Sequence, residues 1–463
     1  MKGFKRQKGQ EKSQYAESRN EQSDLTEKDA QPADDERSGK GKSVSRRDLL
    51  KLAGVGGLGL LLGGGGVGAV LSASQRLESM MTEADTKDVV PFYGKHQAGI
   101  VTPAQDFICF AAFDLTTPDK EQVRNLFKAW TEASATMTSG VLLGTDNENI
   151  NLPPSDTGEA AGLSPSRTTI TFGVGPSFFD GRYGLAGLKP AGFRELPRFQ
   201  GDALDEQWCG GDIGVQVCAN DLQVAFHALR NLARIARGTA VLRWTQEGFQ
   251  RTAQADPAGS TPRNLLGFKD GTGNPDTSKA DEMNRLVWTQ TNDGSAWMGD
   301  GSYMAVRRIR MRVEVWDRST LGDQEDTFGR HRSSGAPLGK SKEFDKLDLA
   351  ATSPEGKPLT PPTSHVALAH GNGSINILRR SYSYSSGLDK QTGQLDAGLL
   401  FISYQRDLFK QFVHIQEKLA RNDKLNEYIV HKGSAVFACF PGVSQGGYIG
   451  DTLFSSRQGR GFI

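Results

Sequence analysis

One glycine-rich segment, residues 263–275, combines residue types that could do chemistry. It reads Arg-Asn-Leu-Leu-Gly-Phe-Lys-Asp-Gly-Thr-Gly-Asn-Pro, so three glycines surround Asp270. Glycine lets the backbone approach a flat or bulky ligand closely, and an aspartate held in a dry pocket can act as a general acid and base. The alternatives are a plain Asp-Gly turn between two halves of the chain and a phosphate-binding loop. The second is a poor match, because no Gly-Lys-Ser/Thr follows.

A histidine and an arginine pair follow later in the chain. His365 opens an apolar stretch and could bind a metal or a haem iron, although a single histidine is more often structural. His370 is five residues further on, so the two would not share a helical face as in a His-x-x-x-His zinc helix. Arg379 and Arg380 lie in an apolar, aromatic strand, where they are costly unless they meet an anion such as a cofactor carboxylate. The alternative is an edge strand whose arginines face solvent.

The composition excludes several classes of protein. The chain has 463 residues, seven histidines, four cysteines and a formal net charge of +1. This balance argues against a protein that binds nucleic acid by neutralising phosphates. The cysteines form no Cys-x-x-Cys pair, so a zinc-cysteine site, a small disulfide scaffold and a covalently attached c-type haem are all disfavoured. The length allows two or three domains.

The N-terminal residues have the pattern of an export signal. Residues 1–44 are polar and charged, and they cannot bury enough apolar surface to fold, so we predict a disordered tail. Residues 45–51 read Ser-Arg-Arg-Asp-Leu-Leu-Lys and precede an apolar, glycine-rich run. This pattern is similar to a twin-arginine signal, which we assign to residues 45–75, with a linker at 76–88. The alternative is a transmembrane anchor, since the run could span a bilayer. Because the twin-arginine route exports folded proteins, this signal favours a protein with a bound cofactor.

The remaining residues predict two α+β units. In residues 89–250, strands and helices alternate in the ferredoxin-like order strand, helix, strand, strand, helix, strand; the strands are at 107–113, 168–174, 212–219 and 240–244, and the helices at 119–137 and 222–236. Residues 302–449 repeat the theme, with strands at 303–316, 377–384, 399–404 and 435–440 and a helix through 409–419. Residues 251–301 would connect the units, 317–364 would cross the surface or line a pocket, and 450–463 would form a tail. The predicted fold class is α+β, with tandem ferredoxin-like domains.

Taken together, these segments resemble the dye-decolourising (DyP-type) haem peroxidases. Residues 267–271 match that family's Gly-x-x-Asp-Gly motif, and further similarity lies at 90–100, 210–221, 316–337 and 378–404. The resemblance covers essentially the whole body of the chain and is greatest for the exported EfeB-type deferrochelatase/peroxidases of iron uptake.

The resemblance implies a barrel-like α/β fold with one haem b per chain in the C-terminal unit. His365 would be the proximal iron ligand, Asp270 the distal acid and base, and Arg379 the distal arginine. The residues expected to lie against the haem are Gly271, Thr272, Gly273, His370, Gly371 and Asn372. Residues 370–372 depart from the Asn-Pro-Arg of some relatives.

The implied reaction is the oxidation of organic donors by hydrogen peroxide. Asp270 would move one proton from the inner to the outer peroxide oxygen, and Arg379 would stabilise negative charge on the leaving oxygen. Trp316, Tyr382 and Tyr384 could relay electrons, or they could simply be core aromatics.

A second implied activity is the removal of iron from haem with the porphyrin left intact. The partners implied are iron-uptake components and the twin-arginine translocase, with no nucleic acid, and the location is the periplasm or cell surface. Oligomeric state stays open, a homo-oligomer included. The alternatives are a non-catalytic haem or iron carrier of an importer, against which the Asp270 and Arg379 pair argues, and a structural exported protein.

Overall fold

The computed structural model describes residues 88–145 and 149–456. The predicted tail at 1–44, the export signal at 45–75 and most of the linker therefore lie outside the described residues. No helix within the described ranges is both long enough and apolar enough to cross a membrane.

The strands form one sheet that closes into a barrel. Its order is β5-β9-β2-β3-β1-β4-β7-β8-β6, and β5 also pairs with β8. This last pairing closes the sheet into a barrel, while the two-residue β6 pairs with β8 at the end of the order. The strands are β1 (Phe107–Leu115), β2 (Thr169–Val174), β3 (Ile213–Ala219), β4 (Ala240–Phe249), β5 (Ser302–Met311), β6 (Leu378–Arg379), β7 (Tyr382–Leu388), β8 (Leu395–Gln405) and β9 (Ile429–Cys439).

Each half of the barrel repeats one arrangement. The neighbours run β4-β1-β3-β2 in the first half and β9-β5-β8-β7 in the second, and both follow the ferredoxin-like order of fourth, first, third and second strand. The halves meet where β2 pairs with β9 and β4 with β7. The tandem ferredoxin-like fold predicted from the sequence is therefore confirmed.

The helices lie on the outside of the barrel and at its ends. They are α1 (Lys120–Thr138), α2 (Leu222–Ile235), α3 (Ala280–Leu286), α4 (Val313–Trp316), α5 (Leu321–Phe328), α6 (His365–His370), α7 (His414–Asn422) and α8 (Asp451–Ser455). Asp119 caps α1 and Asp221 caps α2 through their side-chain oxygens, as expected for aspartate at a helix N-terminus.

Apolar residues fill both faces of the barrel wall. On β1, Cys109, Ala111 and Phe113 face the helices, whereas Ile108 and Phe110 alternate with them and pack inside the barrel. Burial of both faces explains why β1 is continuously apolar in sequence instead of alternating with polar residues.

Three predicted segments differ from the structure. The strand predicted at 303–316 ends at Met311, because the chain turns into α4 and buries Trp316 in a separate aromatic cluster. The strand predicted at 377–384 is interrupted at residues 380–381 between β6 and β7. In the segment assigned to a C-terminal tail, α8 instead packs Leu453 and Phe454 into the core.

Candidate active site

The loop that carries Asp270 is held by an internal turn and by aromatic packing. The side chain of Asn264 accepts hydrogen bonds from the backbone N–H groups of Leu266 (3.1 Å) and Phe268 (3.3 Å). Gly267 has φ +85°, a conformation that favours glycine. The Phe268 ring stacks on Phe328 with 4.1 Å between centroids. This buried ring fixes the backbone two residues before Asp270.

Asp270 and Arg379 form a direct ion pair. Nη1 of Arg379 donates to Oδ1 of Asp270 at 2.6 Å, and the side chains of Arg379 and Asp270 are 26% and 23% exposed. Oδ2 of Asp270 has no hydrogen-bond partner among the described residues. The pair therefore leaves one carboxylate oxygen available for a proton.

Asn274 fixes the backbone of Arg379 on the facing strand. Its Nδ2 donates to the carbonyl of Arg379 at 2.8 Å, and its Oδ1 accepts from the N–H of Arg379 at 3.1 Å. The end of the glycine-rich loop is thus tied to β6, so that Asp270 and Arg379 are held from two sides.

His365 begins α6 and is oriented by a buried carboxylate. Its Nδ1 lies 2.6 Å from Oδ2 of Asp423, whose side chain is 2% exposed and whose Oδ1 accepts from the N–H of Leu425 at 2.9 Å. Since an ionised carboxylate only accepts, Nδ1 carries the proton and Nε2 keeps its lone pair. Burial by itself lowers the pKa of His365, but the charge and hydrogen bond of Asp423 more than offset it, so the pKa is raised.

His365 is coupled electrostatically to the Asp270–Arg379 pair, and 33% of its side chain is accessible. We call the accessible region beside its ring the recess. Arg379 lowers and Asp270 raises the pKa of His365 electrostatically. Among the described residues, Nε2 has no hydrogen-bond partner. The recess therefore holds a free imidazole nitrogen within electrostatic reach of a carboxylate and a guanidinium.

Phe328 connects the two sides of this recess. It stacks on Phe268, and its ring lies 6.2 Å from that of His365. The same aromatic cluster includes Leu425, which follows Asp423 by two residues. One core thus supports both the Asp270 loop and the Asp423–His365 pair.

The other predicted site residues have varied surroundings. Gly271 has φ +134° and Gly273 lies beside the Arg379 guanidinium, where an added Cβ would come 3.9 Å from Nη2. The hydroxyl of Thr272 donates to Glu343 at 2.8 Å. His370 and Asn372 lie exposed with Gly371 at the C-terminal end of α6, and in the described residues no hydrogen bond joins them to Asp270, Arg379 or the His365 ring.

Arg380 does not share the environment of Arg379. Its guanidinium donates to the carbonyl of Thr102 and to Oε1 of Gln105 in the N-terminal half, and only 4% of the residue is exposed. Arg379 therefore meets an anion, the carboxylate of Asp270. Arg380 instead meets two neutral oxygens, not the anion expected from the sequence.

Sequence reasoning missed several residues that shape the site. Asp423 lies in a polar run that carries no signal of its role. Asn274 stands in the glycine-rich segment 263–275, but no role in the site was attached to it. Glu343 accepts from Thr272 and forms an ion pair with Lys269, and it too had no sequence signal.

Arg330 is a further half-buried cation near the site. Its Nη1 donates to the carbonyls of Gly335 (2.6 Å) and Glu343 (3.1 Å). Burial lowers its pKa, Glu343 partly offsets this, and Arg379 lowers it further. Arg330 falls within the segment 316–337, which carried the family resemblance, although no role was attached to it.

Comparison with known protein families gives matches over both halves of the chain. The model described as Dyp-type peroxidase, N-terminal, matches residues 97–250, and the model described as Dyp-type peroxidase, C-terminal, matches residues 261–444. These matches confirm the resemblance seen in the sequence.

Curated relatives and solved structures agree with the family models. The chain is 41% identical over 417 residues to a deferrochelatase of Escherichia coli (strain K12), covering 88% of this chain and 96% of the relative. It is 40% identical over 422 residues to a deferrochelatase of Yersinia pestis bv. Antiqua, covering 89% and 96%. A DyP-type peroxidase from Streptomyces coelicolor and ferric DtpA from Streptomyces lividans each superpose with a TM-score of 0.75 at 37% identity, covering 81% of this chain and 100% of theirs.

Proposed function

This chain belongs to the DyP-type peroxidase family, and from that premise we propose that it binds one haem b and uses hydrogen peroxide to oxidise organic donors. The observation that carries the proposal is the pairing of Asp270 with Arg379 within electrostatic reach of His365. A carrier that only held haem would need His365 but would not need an acid and base opposed to it.

The residues present fit a haem. His365 offers a free Nε2 in an accessible recess, and Asp423 holds the ring in the tautomer that a metal requires. Gly271 and Gly273 have no side chain, so the loop after Asp270 leaves room for a flat ring. Haem bound by His365 would supply the iron centre at which the O–O bond of peroxide is cleaved and which then accepts single electrons from a donor.

Asp270 performs the proton transfer. Peroxide enters with a proton on each oxygen, and cleavage to water requires both protons on the outer oxygen. Oδ2 of Asp270 takes the proton from the inner oxygen and returns it to the outer one, while Oδ1 stays bound to Arg379. The Asp270 loop must hold this carboxylate still, and the Phe268 and Asn274 contacts supply that restraint.

Arg379 stabilises the charge that develops as the O–O bond breaks. Its guanidinium is a cation, and two hydrogen bonds between the Asn274 side chain and the Arg379 backbone help to hold it beside Asp270. A cation that is positioned in advance lowers the barrier without reorganising during the reaction.

Asp423 tunes His365. By accepting the Nδ1 proton, it makes Nε2 a stronger electron donor to a bound metal and fixes the plane of the ring. The carboxylate is almost fully buried, so its charge is poorly screened and its influence on His365 is large.

Purified protein tests the proposal directly. We expect haem-loaded protein to show a Soret band and to oxidise a dye with hydrogen peroxide. His365→Ala should lose the Soret band or change it greatly. Protein that retains haem through His365 but has no peroxide-dependent activity above free haem would instead support the haem carrier.

We also propose that the chain removes iron from haem and leaves the porphyrin intact. The identity to relatives named deferrochelatase supports this activity. Incubation with haem and an iron chelator should release protoporphyrin, measured by its fluorescence, and His365→Ala should release none. Absence of porphyrin from active peroxidase would remove this part of the proposal and leave the first intact.

Export by the twin-arginine route completes the proposal. It rests on the Ser-Arg-Arg-Asp-Leu-Leu-Lys sequence at residues 45–51. Replacement of Arg46 and Arg47 by lysine should keep the protein in the cytoplasm, and fractionation of cells would show it. Export of the double variant at the normal level would contradict the assignment.

A further inference from the structure

A second cluster of ligand-type side chains lies in the N-terminal half, away from the recess. His227 projects from α2 towards the connection between α1 and β2, where it meets Asp156 and Glu159. One ligand atom from each of the three lies within 4.8 Å of the other two. His227 and Asp156 are 3% and 8% exposed.

Part of the cluster is held in place by ordinary hydrogen bonds. Nε2 of His227 lies 2.7 Å from Oδ1 of Asp156, and the backbone N–H groups of Leu143 and Gly158 donate to Asp156 at 2.8 and 2.7 Å. These three contacts hold the Asp156 carboxylate in place, so that it is a preformed acceptor.

Two buried acceptor oxygens on residues of this region have no partner in the described part of the chain. Oε2 of Glu159 and Oδ1 of Asn231 are both buried and have no hydrogen-bond partner among the described residues. Asn231 is 1% exposed and lies one helical turn beyond His227 on the same face of α2. Its Nδ2 donates at 2.9 Å to Thr157, which stands between Asp156 and Glu159 in sequence. A buried oxygen without a donor is costly, and a cation would satisfy both.

We propose that His227, Asp156 and Glu159 bind one divalent first-row transition-metal ion, with the amide oxygen of Asn231 as a further ligand. An imidazole nitrogen with two carboxylates suits Zn²⁺, Fe²⁺ or Mn²⁺ better than Ca²⁺ or Mg²⁺, which prefer all-oxygen sites. Metal–ligand bonds of about 2.0–2.2 Å place neighbouring ligand atoms roughly 3.3 Å apart. The 2.7 Å contact of His227 with Asp156 opens slightly to admit the ion, and the Glu159 oxygen moves inwards.

Arg230 sets the strength of this site. It forms an ion pair with Oε1 of Glu159, so the cluster and its neighbour carry two carboxylates and one guanidinium. The remaining negative charge attracts a cation, while the guanidinium opposes it. Glu159 and Arg230 therefore have opposite effects on metal affinity, although both belong to the same ion pair.

Zinc is a suitable probe, because it is redox-inert and is counted separately from haem iron. Haem-loaded protein, freed of other metals with a chelator, would be titrated with Zn²⁺ by calorimetry, with Ca²⁺ for comparison. Bound zinc per chain would be measured by elemental analysis, and thermal unfolding would be followed with and without zinc. We expect one zinc per chain, a raised melting temperature and much weaker binding of Ca²⁺.

The matched variants are Glu159→Gln and Arg230→Gln, which break the same ion pair from opposite sides. Glu159→Gln should weaken zinc binding about tenfold or more, the size of effect expected for the loss of a ligand or its support. The Arg230→Gln protein should bind zinc as tightly as the unaltered protein, or more tightly. Unfolding without zinc confirms that each variant is folded.

Three results would overturn the site. They are the absence of stoichiometric zinc on the unaltered protein, unchanged affinity in Glu159→Gln, and equal weakening in both variants. Equal weakening would mean that the ion pair only holds the loop in place.

Discussion

Replacement of Asp270 by asparagine isolates the proton-transfer step. Asparagine has the same shape and keeps an oxygen for the hydrogen bond from Nη1 of Arg379, now at 2.6 Å. It loses the free carboxylate oxygen, Oδ2, that takes and returns the proton. A positioned general acid and base contributes about 10²–10⁴-fold to rate, or roughly 2.7–5.5 kcal/mol of barrier. We therefore expect the second-order rate constant for peroxide to fall by that factor.

Folding and haem binding should survive this change. The ion pair is about a quarter exposed on both sides, and such pairs contribute no more than about 1 kcal/mol to stability. Rapid mixing with peroxide, followed at the Soret band, would give the rate constant, and the band before mixing would give the haem content.

Asp396→Asn is a matched control for Asp270→Asn. Asp396 accepts from Arg308 at 2.7 Å and is 22% exposed, close to the values for Asp270, but it belongs to a different ion pair. We expect the control to react with peroxide as fast as the unaltered protein. If Asp270→Asn retained its haem and reacted within threefold of the unaltered protein, Asp270 would not be the acid and base and the mechanism would be refuted.

Three further variants test two other groups of the site, Arg379 and Asp423, and the buried His431 on β9. Arg379→Leu should keep haem but lower the rate constant for peroxide by about 10²–10³-fold, the size seen when a positioned charge-stabilising donor is removed. In the double variant with Asp270→Asn, rapid mixing should show a reduction in this rate constant smaller than the product of the two single reductions. Asp423→Asn should weaken haem retention about tenfold or more, measured by transfer of haem to apomyoglobin. It should also raise the reduction potential of the bound haem, because His365 then donates less charge to the iron; an unchanged potential would count against the proposed role of Asp423. Burial lowers the pKa of His431 well below its usual value, and the charge of Arg307 lowers it further. As the pH drops below about 6.5, His431 therefore binds a proton in the unfolded chain but not in the folded protein, and the free energy of unfolding falls. Between pH 7 and pH 5, His431→Gln should therefore lose less free energy of unfolding than the unaltered protein, and the two losses should differ by at most about 2 kcal/mol. Urea unfolding at both pH values measures this, and equal losses would show that His431 does not contribute.

The sequence alone was sufficient for features that are local or periodic. Continuous apolar runs identified most strands, because a barrel wall buries both faces of a strand. Helical spacing identified α1 and α2, and capping aspartates mark their first turns. The glycines around Asp270 indicated a loop that leaves room for a ligand. In the structure, Gly267 (φ +85°) and Gly271 (φ +134°) adopt conformations that favour glycine.

Other features depended on contacts between distant parts of the chain. The alternation of Val313 and Val315 imitates a strand, but burial of Trp316 beside Phe268 turns the chain into α4. Residue types alone likewise could not show which arginine of the 379–380 pair meets an anion; the assignment of Arg379 came only from the family resemblance. A break of two residues between β6 and β7 sends Arg379 to Asp270 and Arg380 to the opposite half.

For this protein, the sequence determined which residue types are available, which segments form strands and helices, and where a ligand-binding loop lies. The tertiary structure decided which of them work together. His365 and Asp423 are 58 positions apart, and Asp270 and Arg379 are 109 apart. Such pairs form only when the barrel closes and an aromatic core fixes both loops, because hydrogen bonds of this kind depend on distances and angles that no local pattern encodes.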